Sequence, residues 1–213
     1  MTWLSYGGIM PKNTFFNLPL DKKNRIMDAI MDEFGRNTYE HINLANIIRD
    51  SEIPRGSFYQ YFVDKDDVFH HLIQEIQRLK YGYFGPLFSQ ESDIKFIDRL
   101  ERILTSSFGF AIKYPTITKI GQKLAESNFY RNNPLAIQSI EMANQTFEDW
   151  IQIDVDKGFI KRYIDVKYVA KIIVKMINQP IYYENLSDEE ITKNKQEIKV
   201  LIDLLKKGME TDV

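Results

Sequence analysis

Cysteine is absent from this 213-residue chain, which excludes disulfides, thiol nucleophiles and thiolate metal sites and fits a reducing, cytoplasmic setting. Histidine is nearly absent: His41, His70 and His71 are the whole complement, and no Ser-His-Asp ordering, G-x-S-x-G elbow or glycine-rich phosphate loop accompanies them. No apolar run approaches the roughly twenty residues of a membrane-spanning helix. The opening MTWLSYGGIMPK is too short and too broken in its apolar part to read as a signal peptide. Alternating strand patterns, internal repeats and low-complexity tracts are missing as well. Nor is there an excess of positive charge: 28 Lys and Arg face 30 Asp and Glu, for a net charge of −2. A protein held to polyanions by bulk charge alone should be far more basic.

What is present is a chain with 44% apolar residues set largely at helical spacing, enough for one large or two modest cores. Ile26, Ala29, Ile30 and Phe34 form a stripe of period 3.6 after Asp21, a good cap, and end before the polar break Gly35-Arg36-Asn37. Asn43 suits the N-cap of a second helix running from Leu44 to about Asp50, with Leu44, Ile47 and Ile48 on one face. Ser51, Glu52 and Ile53 then separate it from a third helix, and three linking residues with an apolar plug match the helix-turn-helix connection.

The third helix lies in the most informative segment, IPRGSFYQYFVDK, residues 53–65. Ile53, Phe58 and Phe62 can face one way, which leaves Arg55, Ser57, Tyr59, Gln60 and Tyr61 facing outward. Pro54 suits a first helical position, and Gly56 removes a side chain where the helix start must approach something closely. An outward face this rich in donors and aromatics has the make-up of a helix that reads the DNA major groove, where Arg pairs with guanine and Gln with adenine. Backbone N–H groups at such a helix start attract phosphate.

These residues resemble the TetR family of bacterial transcriptional regulators. The resemblance covers about residues 15–72 and is most specific from Ile53 to Lys65; Tyr39, Asn43, Leu44 and Ile47 also fall where the family has its loop tyrosine and second-helix residues. Glu52 departs from the pattern, standing where a turn glycine of positive φ is usual. Either the turn differs slightly there or the glutamate bears a strain of about 1 kcal/mol. The resemblance implies an all-α fold, with an N-terminal three-helix helix-turn-helix DNA-binding domain followed by a larger helical ligand-binding and dimerisation domain. The expected boundaries are an arm or extension over 1–20, the reading head over 21–66 and the effector and dimerisation domain over 67–213, with a helix over 67–84 bridging the last two. Met10 is a candidate start, residues 1–9 then being an upstream extension or arm.

Carried over by residue, the resemblance implies DNA contacts from Asn43, Ala45, Asn46, Arg55, Gly56, Ser57, Tyr59, Gln60, Tyr61 and Lys65. Tyr61 and Lys65 would grip the backbone, and a phosphate would relieve the conflict between Lys65 and the N-terminal end of its helix dipole. Lys12, Lys22, Lys23 and Arg25 join Arg55 and Lys65 in a local basic rim.

Beyond Lys80, YGYFGP at 81–86 is expected to break the fourth helix and act as a hinge. Helical segments follow over about 93–114, 115–127, 134–156, 165–183 and 187–209, and residues 157–166 are similar to the family's turn between its seventh and eighth helices. By resemblance the last two helices pair with those of a second copy, through a stripe of Ile198, Leu201, Ile202, Leu204 and Leu205. Phe84, Phe88, Phe108, Tyr114, Gln122, Phe129, Met142, Phe147, Trp150 and Tyr182 are the candidate lining of an effector pocket for a lipophilic or flat aromatic molecule.

The expected function is therefore a ligand-responsive regulator, by family default a repressor, that binds a palindromic operator in double-stranded DNA as a homodimer. No catalytic residue, cofactor, metal or membrane partner is expected. The rival reading is a helical carboxylate-bundle metalloenzyme, since Asp67 and His70 stand at i, i+3, although no second Glu-x-x-His completes the set. An interaction adaptor with a vestigial reading head is the other alternative.

Overall fold

The computed structural model describes residues 11–88, 94–177 and 188–211. Within them the helices are α1 (Asn13–Phe16), α2 (Leu20–Arg36), α3 (Leu44–Asp50), α4 (Arg55–Tyr61), α5 (Lys65–Phe88), α6 (Phe96–Lys113), α7 (Pro115–Glu126), α8 (Asn128–Arg131), α9 (Pro134–Asp156), α10 (Val166–Ile177) and α11 (Asp188–Met209). A 3-10 turn occupies Tyr39–His41, and the one extended pairing among the described residues is a bridge between Ile160 and Glu210. The fold is all-α, as the periodicity requires. Tyr182 and Met10 lie outside the described residues.

The chain divides into two compact units, the first holding residues 11–82 and 116–127, the second 83–115 and 128–211. In the first unit the stripe on α2, Ile47 of α3, Phe58 of α4 and Val68, Phe69 and Leu72 of α5 are all buried, and Phe34 of α2 stacks on Phe69 at 6.2 Å. The start of α5 thus adds its buried face to the head, a small three-helix unit near the size at which a core becomes marginal. Helix α7 also joins this unit, which the sequence boundaries do not anticipate. Ile117, Ile120 and Leu124 are its buried face, and Thr116 and Ile120 pass over Gly35 of α2, where an added Cβ would meet them at 3.8 and 3.9 Å. The Ser127 hydroxyl donates to Glu40 at 3.0 Å.

The expected hinge at 81–86 is not a break: α5 runs unbroken through it to Phe88, with Pro86 inside the helix. Pro86 has no N–H and so removes one i→i−4 bond, and only Leu87 and Phe88 follow it in the helix. Ring packing holds this stretch, with Tyr83 and Phe84 each 5.3 Å from Phe110, centroid to centroid.

In the second unit the core gathers Phe96, Ile97 and Leu100 of α6, Phe147 and Ile151 of α9, Ala170, Ile173 and Val174 of α10, and Ile202 and Met209 of α11. Helix α9 begins as its sequence indicates: Asn133 accepts from the Leu135 N–H at 2.9 Å, and Pro134 needs no donor in the first turn. It ends at Gly158, whose φ of +77° lets the Gly158 and Phe159 N–H groups turn back to the Val155 and Asp154 carbonyls at 3.0 and 2.8 Å. This double return satisfies carbonyls that the helix end leaves open. The loop that follows is tied to the end of α11, Lys161 N–H donating to Met209 O at 2.8 Å.

Candidate nucleic-acid interface

The helix-turn-helix head is assembled around a buried acid. Glu33 falls on the apolar face of α2, and its carboxylate accepts from the Asn43 N–H at 2.9 Å and from the Asn46 side chain at 3.2 Å. Asn43 in turn caps α3 by accepting from the Ala45 N–H at 2.9 Å. The start of α3 is therefore fixed on both sides of its first turn. Four residues, Ser51 to Pro54, link α3 to α4, one more than the sequence suggests, because Pro54 lies outside the helix with φ −59° and ψ 140°. Its carbonyl accepts the Ser57 and Phe58 N–H groups at 2.9 and 3.2 Å, so it works as the cap residue. Glu52 keeps the left-handed conformation at φ 52°, the sole non-glycine to do so among the described residues, and Ile53 plugs the helix angle from a buried position.

Beneath α4, Ile53, Phe58 and Phe62 are buried; above it, Arg55, Gly56, Tyr59 and Gln60 are exposed and Ser57 is half-buried. Tyr59 stands edge-on to Phe58 at 5.6 Å, and the Arg55 guanidinium lies 5.8 Å from its ring. These contacts stiffen the outward face. A Cβ added to Gly56 would meet nothing within 4 Å. Packing within the protein therefore gives no reason for a glycine there.

Two residues expected on the DNA-facing side are placed otherwise. Tyr61 is buried, its ring 6.3 Å from Phe15 and under the Lys22 ammonium at 5.5 Å, because a residue three beyond Phe58 returns to the core face and α1 covers it. The Lys65 ammonium donates to the Tyr39 carbonyl at 3.1 Å and lies 4.3 Å from the Tyr39 ring. That carbonyl takes the place of the anion its position calls for, and Asp66 and Asp67 in the first turn of α5 suit the dipole. The Tyr39 hydroxyl donates to Asp66, and burial together with this bond pushes the phenol well above its ordinary range. Asn46 is also engaged, donating to Glu33 and accepting from Arg49 at 3.2 Å.

Most of the basic rim is tied down within the chain. Lys12 donates to Tyr59 O at 2.9 Å, Lys23 to Phe16 O at 2.9 Å, and Arg25 pairs with Glu52 at 3.6 Å. The arm that carries Lys12 was the least legible segment in sequence: α1 docks on α4 through Phe15, wedged against Phe62 and His71 at 5.1 Å each. Glu33 did carry a signal, since an acid stood at helical spacing within an apolar stripe.

Of the ten residues proposed for an effector pocket, the nine described ones are distributed over both units. Phe108 and Phe147 are buried, Phe84 and Tyr114 join the Tyr83 and Phe110 rings, and Phe88 and Phe147 each lie 5.4 Å from Trp150. Met142 is exposed, Gln122 belongs to the first unit and Phe129 to the second. An apolar cavity of about 200 Å³ opens among Leu100 and Leu104 of α6, Val169, Ile172, Ile173, Met176 and Ile177 of α10, and Leu201, Leu205 and Met209 of α11. Aliphatic stripes from three helices leave it without a polar lining group. The stripe on α11 is largely internal: Ile202 is buried, Ile198 and Leu205 pack on the same core, and Leu204 is 63% exposed. Tyr168, Ile172 and Met176 on α10 and Val200 on α11 are exposed as well.

The rival metal pair is also recast. Asp67 accepts from the Val63 N–H at 2.8 Å while its own N–H donates to Asp64 at 2.9 Å, a capping arrangement at the start of α5. No group of three or more His, Asp or Glu with metal-binding disposition occurs among the described residues.

Comparison with known proteins follows the same lines. Residues 26–72 match the family model described as bacterial regulatory proteins, tetR family. Among solved structures, a TetR family transcriptional regulator from Chloroflexus aurantiacus J-10-FL has a TM-score of 0.74 at 24% identity, covering 95% of this chain and 100% of its own. A gamma-butyrolactone receptor has a TM-score of 0.66 at 17% identity, covering 89% of this chain and 88% of its own. The ketosteroid transcriptional regulator of Mycobacterium tuberculosis has a TM-score of 0.65 at 13% identity, covering 92% and 98%. At such identities the likeness is one of fold. No curated protein sequence matches the chain.

Proposed function

We propose that this chain, a TetR-family transcriptional regulator by its residues 26–72 and its fold, represses transcription by binding a palindromic DNA operator as a homodimer and lets go when a small lipophilic molecule binds. The observation that carries this reading is the sorting of α4: apolar side chains underneath, and Arg55, Gly56, Tyr59 and Gln60 on an open outer face. Arg55 and Gln60 have the donors and acceptors to distinguish guanine and adenine, and Tyr59 supplies a stiff aromatic surface. The bare backbone at Gly56 gives phosphate or sugar room to approach, with Ser57 beside it in the first turn of α4 and Ala45 in the first turn of α3. With most of the basic rim engaged internally, recognition rests on geometry more than on bulk charge.

The dimer reading draws on the exposed apolar residues of α10 and α11. Tyr168, Ile172 and Met176 follow one another at i, i+4 and i+8, and Val200 and Leu204 at i and i+4, so each helix offers a stripe for a second copy. On α11 this reading uses Val200 and Leu204, since Ile202 faces inward. For the effector, the aliphatic cavity of about 200 Å³ among α6, α10 and α11 favours an apolar ligand. Two structural neighbours, named for a gamma-butyrolactone and for ketosteroids, are in keeping with a lipophilic class.

Selection of bound duplexes from a random DNA pool tests the reading directly. An enriched inverted repeat, lost with Gln60→Ala, is the expected result. A pool that stays unenriched while the protein is folded and dimeric would reject it.

A further inference from the structure

Helix α4 is two turns long, and the last four carbonyls of a helix have no partner within it. Phe62 N–H takes the Phe58 carbonyl at 3.0 Å. The other three, on Tyr59, Gln60 and Tyr61, are all taken by one segment far upstream. The Lys12 ammonium donates to Tyr59 O at 2.9 Å, the Thr14 hydroxyl donates to Gln60 O, and the Lys12 N–H donates to Tyr61 O at 2.9 Å. The segment is itself anchored, because Phe15 is buried among the rings of Tyr61, Phe62 and His71. The carbonyls it holds include those of Tyr59 and Gln60, the residues whose side chains face outward.

We infer that residues 12–15 form a clamp on the end of α4, with Lys12 and Thr14 as positioning residues that set the angle at which Tyr59 and Gln60 meet the bases. This rests on the reading of α4 as the DNA-reading helix. Lys12 then contributes by satisfying a helix C-terminus, where a cation is favoured, and not as a phosphate ligand. Loss of the clamp loosens the helix that discriminates sequence and leaves the phosphate contacts in place. Operator binding falls while binding to scrambled DNA does not.

The test uses the full chain carrying Lys12→Met, Thr14→Val or Thr14→Ser, titrated with the selected operator and with scrambled duplex over a range of salt. Thr14→Val and Lys12→Met are expected to weaken operator binding about tenfold each, the scale of one lost hydrogen bond, with Thr14→Ser close to wild type. Scrambled-DNA affinity and the slope of log K against log salt stay unchanged. Operator affinity unchanged in both variants overturns the clamp. So does a Lys12→Met slope lower by about one, with equal loss on both duplexes, since that is the signature of a phosphate contact. If the wild-type chain selects no duplex, the functional reading fails on its own, and hydrogen exchange still decides the clamp. Faster exchange across residues 55–62 in Thr14→Val, at unchanged melting temperature, supports it; unchanged exchange overturns it.

Discussion

Glu33 and Asn43 are joined across two helices, the buried carboxylate of one accepting the backbone N–H of the other at 2.9 Å while also holding Asn46 at 3.2 Å. The bond fixes where α3 begins, and with it the turn that aims α4. Removing the acceptor leaves two donors without a partner. Glu33→Ala is expected to cost about 2–3 kcal/mol in urea unfolding, and Glu33→Gln about 1 kcal/mol, since an amide oxygen still accepts one bond. Equal melting curves for all three proteins would show that the carboxylate is incidental.

Gly56 separates folding from recognition. It lies in the first turn of α4 with open space around its Cβ position. Alanine there should leave the fold unchanged or stabilise it by about 0.5–1 kcal/mol, from helix propensity. The same change should weaken operator binding, because a methyl group enters the gap to DNA. An alanine variant that binds as well as wild type would remove Gly56 from the interface.

Side chains on opposite faces of α4 should also part company. Phe58→Ala is expected to cost about 3–5 kcal/mol of folding free energy. Tyr59→Ala and Gln60→Ala should each cost about 1–3 kcal/mol of operator binding per half-site with little change in melting temperature. A common loss of stability in all three would contradict the outward placement.

Glu52 bears its positive φ in the turn, and glycine would relieve it. Glu52→Gly should stabilise the chain by about 0.5–1 kcal/mol, whereas Glu52→Ala, which loses the same exposed contact to Arg25 but keeps the strain, should gain nothing. Thermal denaturation of the two variants side by side distinguishes strain from charge.

His71 gives a pH signature. Burial among Phe15, Phe16 and Phe62 lowers its imidazole below the ordinary value, with Lys23 adding to the shift and Glu75 opposing it. The unfolded chain then binds the proton more readily than the folded one, so stability contributed by this group is full above about pH 6.5 and declines as pH falls below it. His71→Leu should flatten that part of the stability profile, as read by chemical denaturation from pH 7.5 to 5. A leucine variant with the wild-type slope would assign the decline to another group.

Much of the head was legible because its signals are local. Asn43 caps, Ile53 plugs and Phe58 and Phe62 point inward by spacing alone, and Asn133-Pro134 announces the start of α9 in the same way. Tyr61 and Lys65 are expected on the outer side because each is polar and lies in or just after α4; Phe15 packs over the one and the Tyr39 carbonyl accepts from the other, contacts that spacing does not encode. Glycine and proline at 81–86 predict a break because they weaken a helix locally, whereas the segment's own Tyr83 and Phe84 pack on Phe110, a ring from outside it.

By itself the sequence determined an all-helical chain with a helix-turn-helix head and a polar, aromatic outer face on α4, since periodicity, caps and turn residues act within a few positions. Tertiary structure alone decided that Lys12 and Thr14 close the end of α4, that α7 packs with the head, and that the apolar cavity lies among α6, α10 and α11. Those outcomes depend on contacts between residues tens of positions apart, which no spacing rule along the chain encodes.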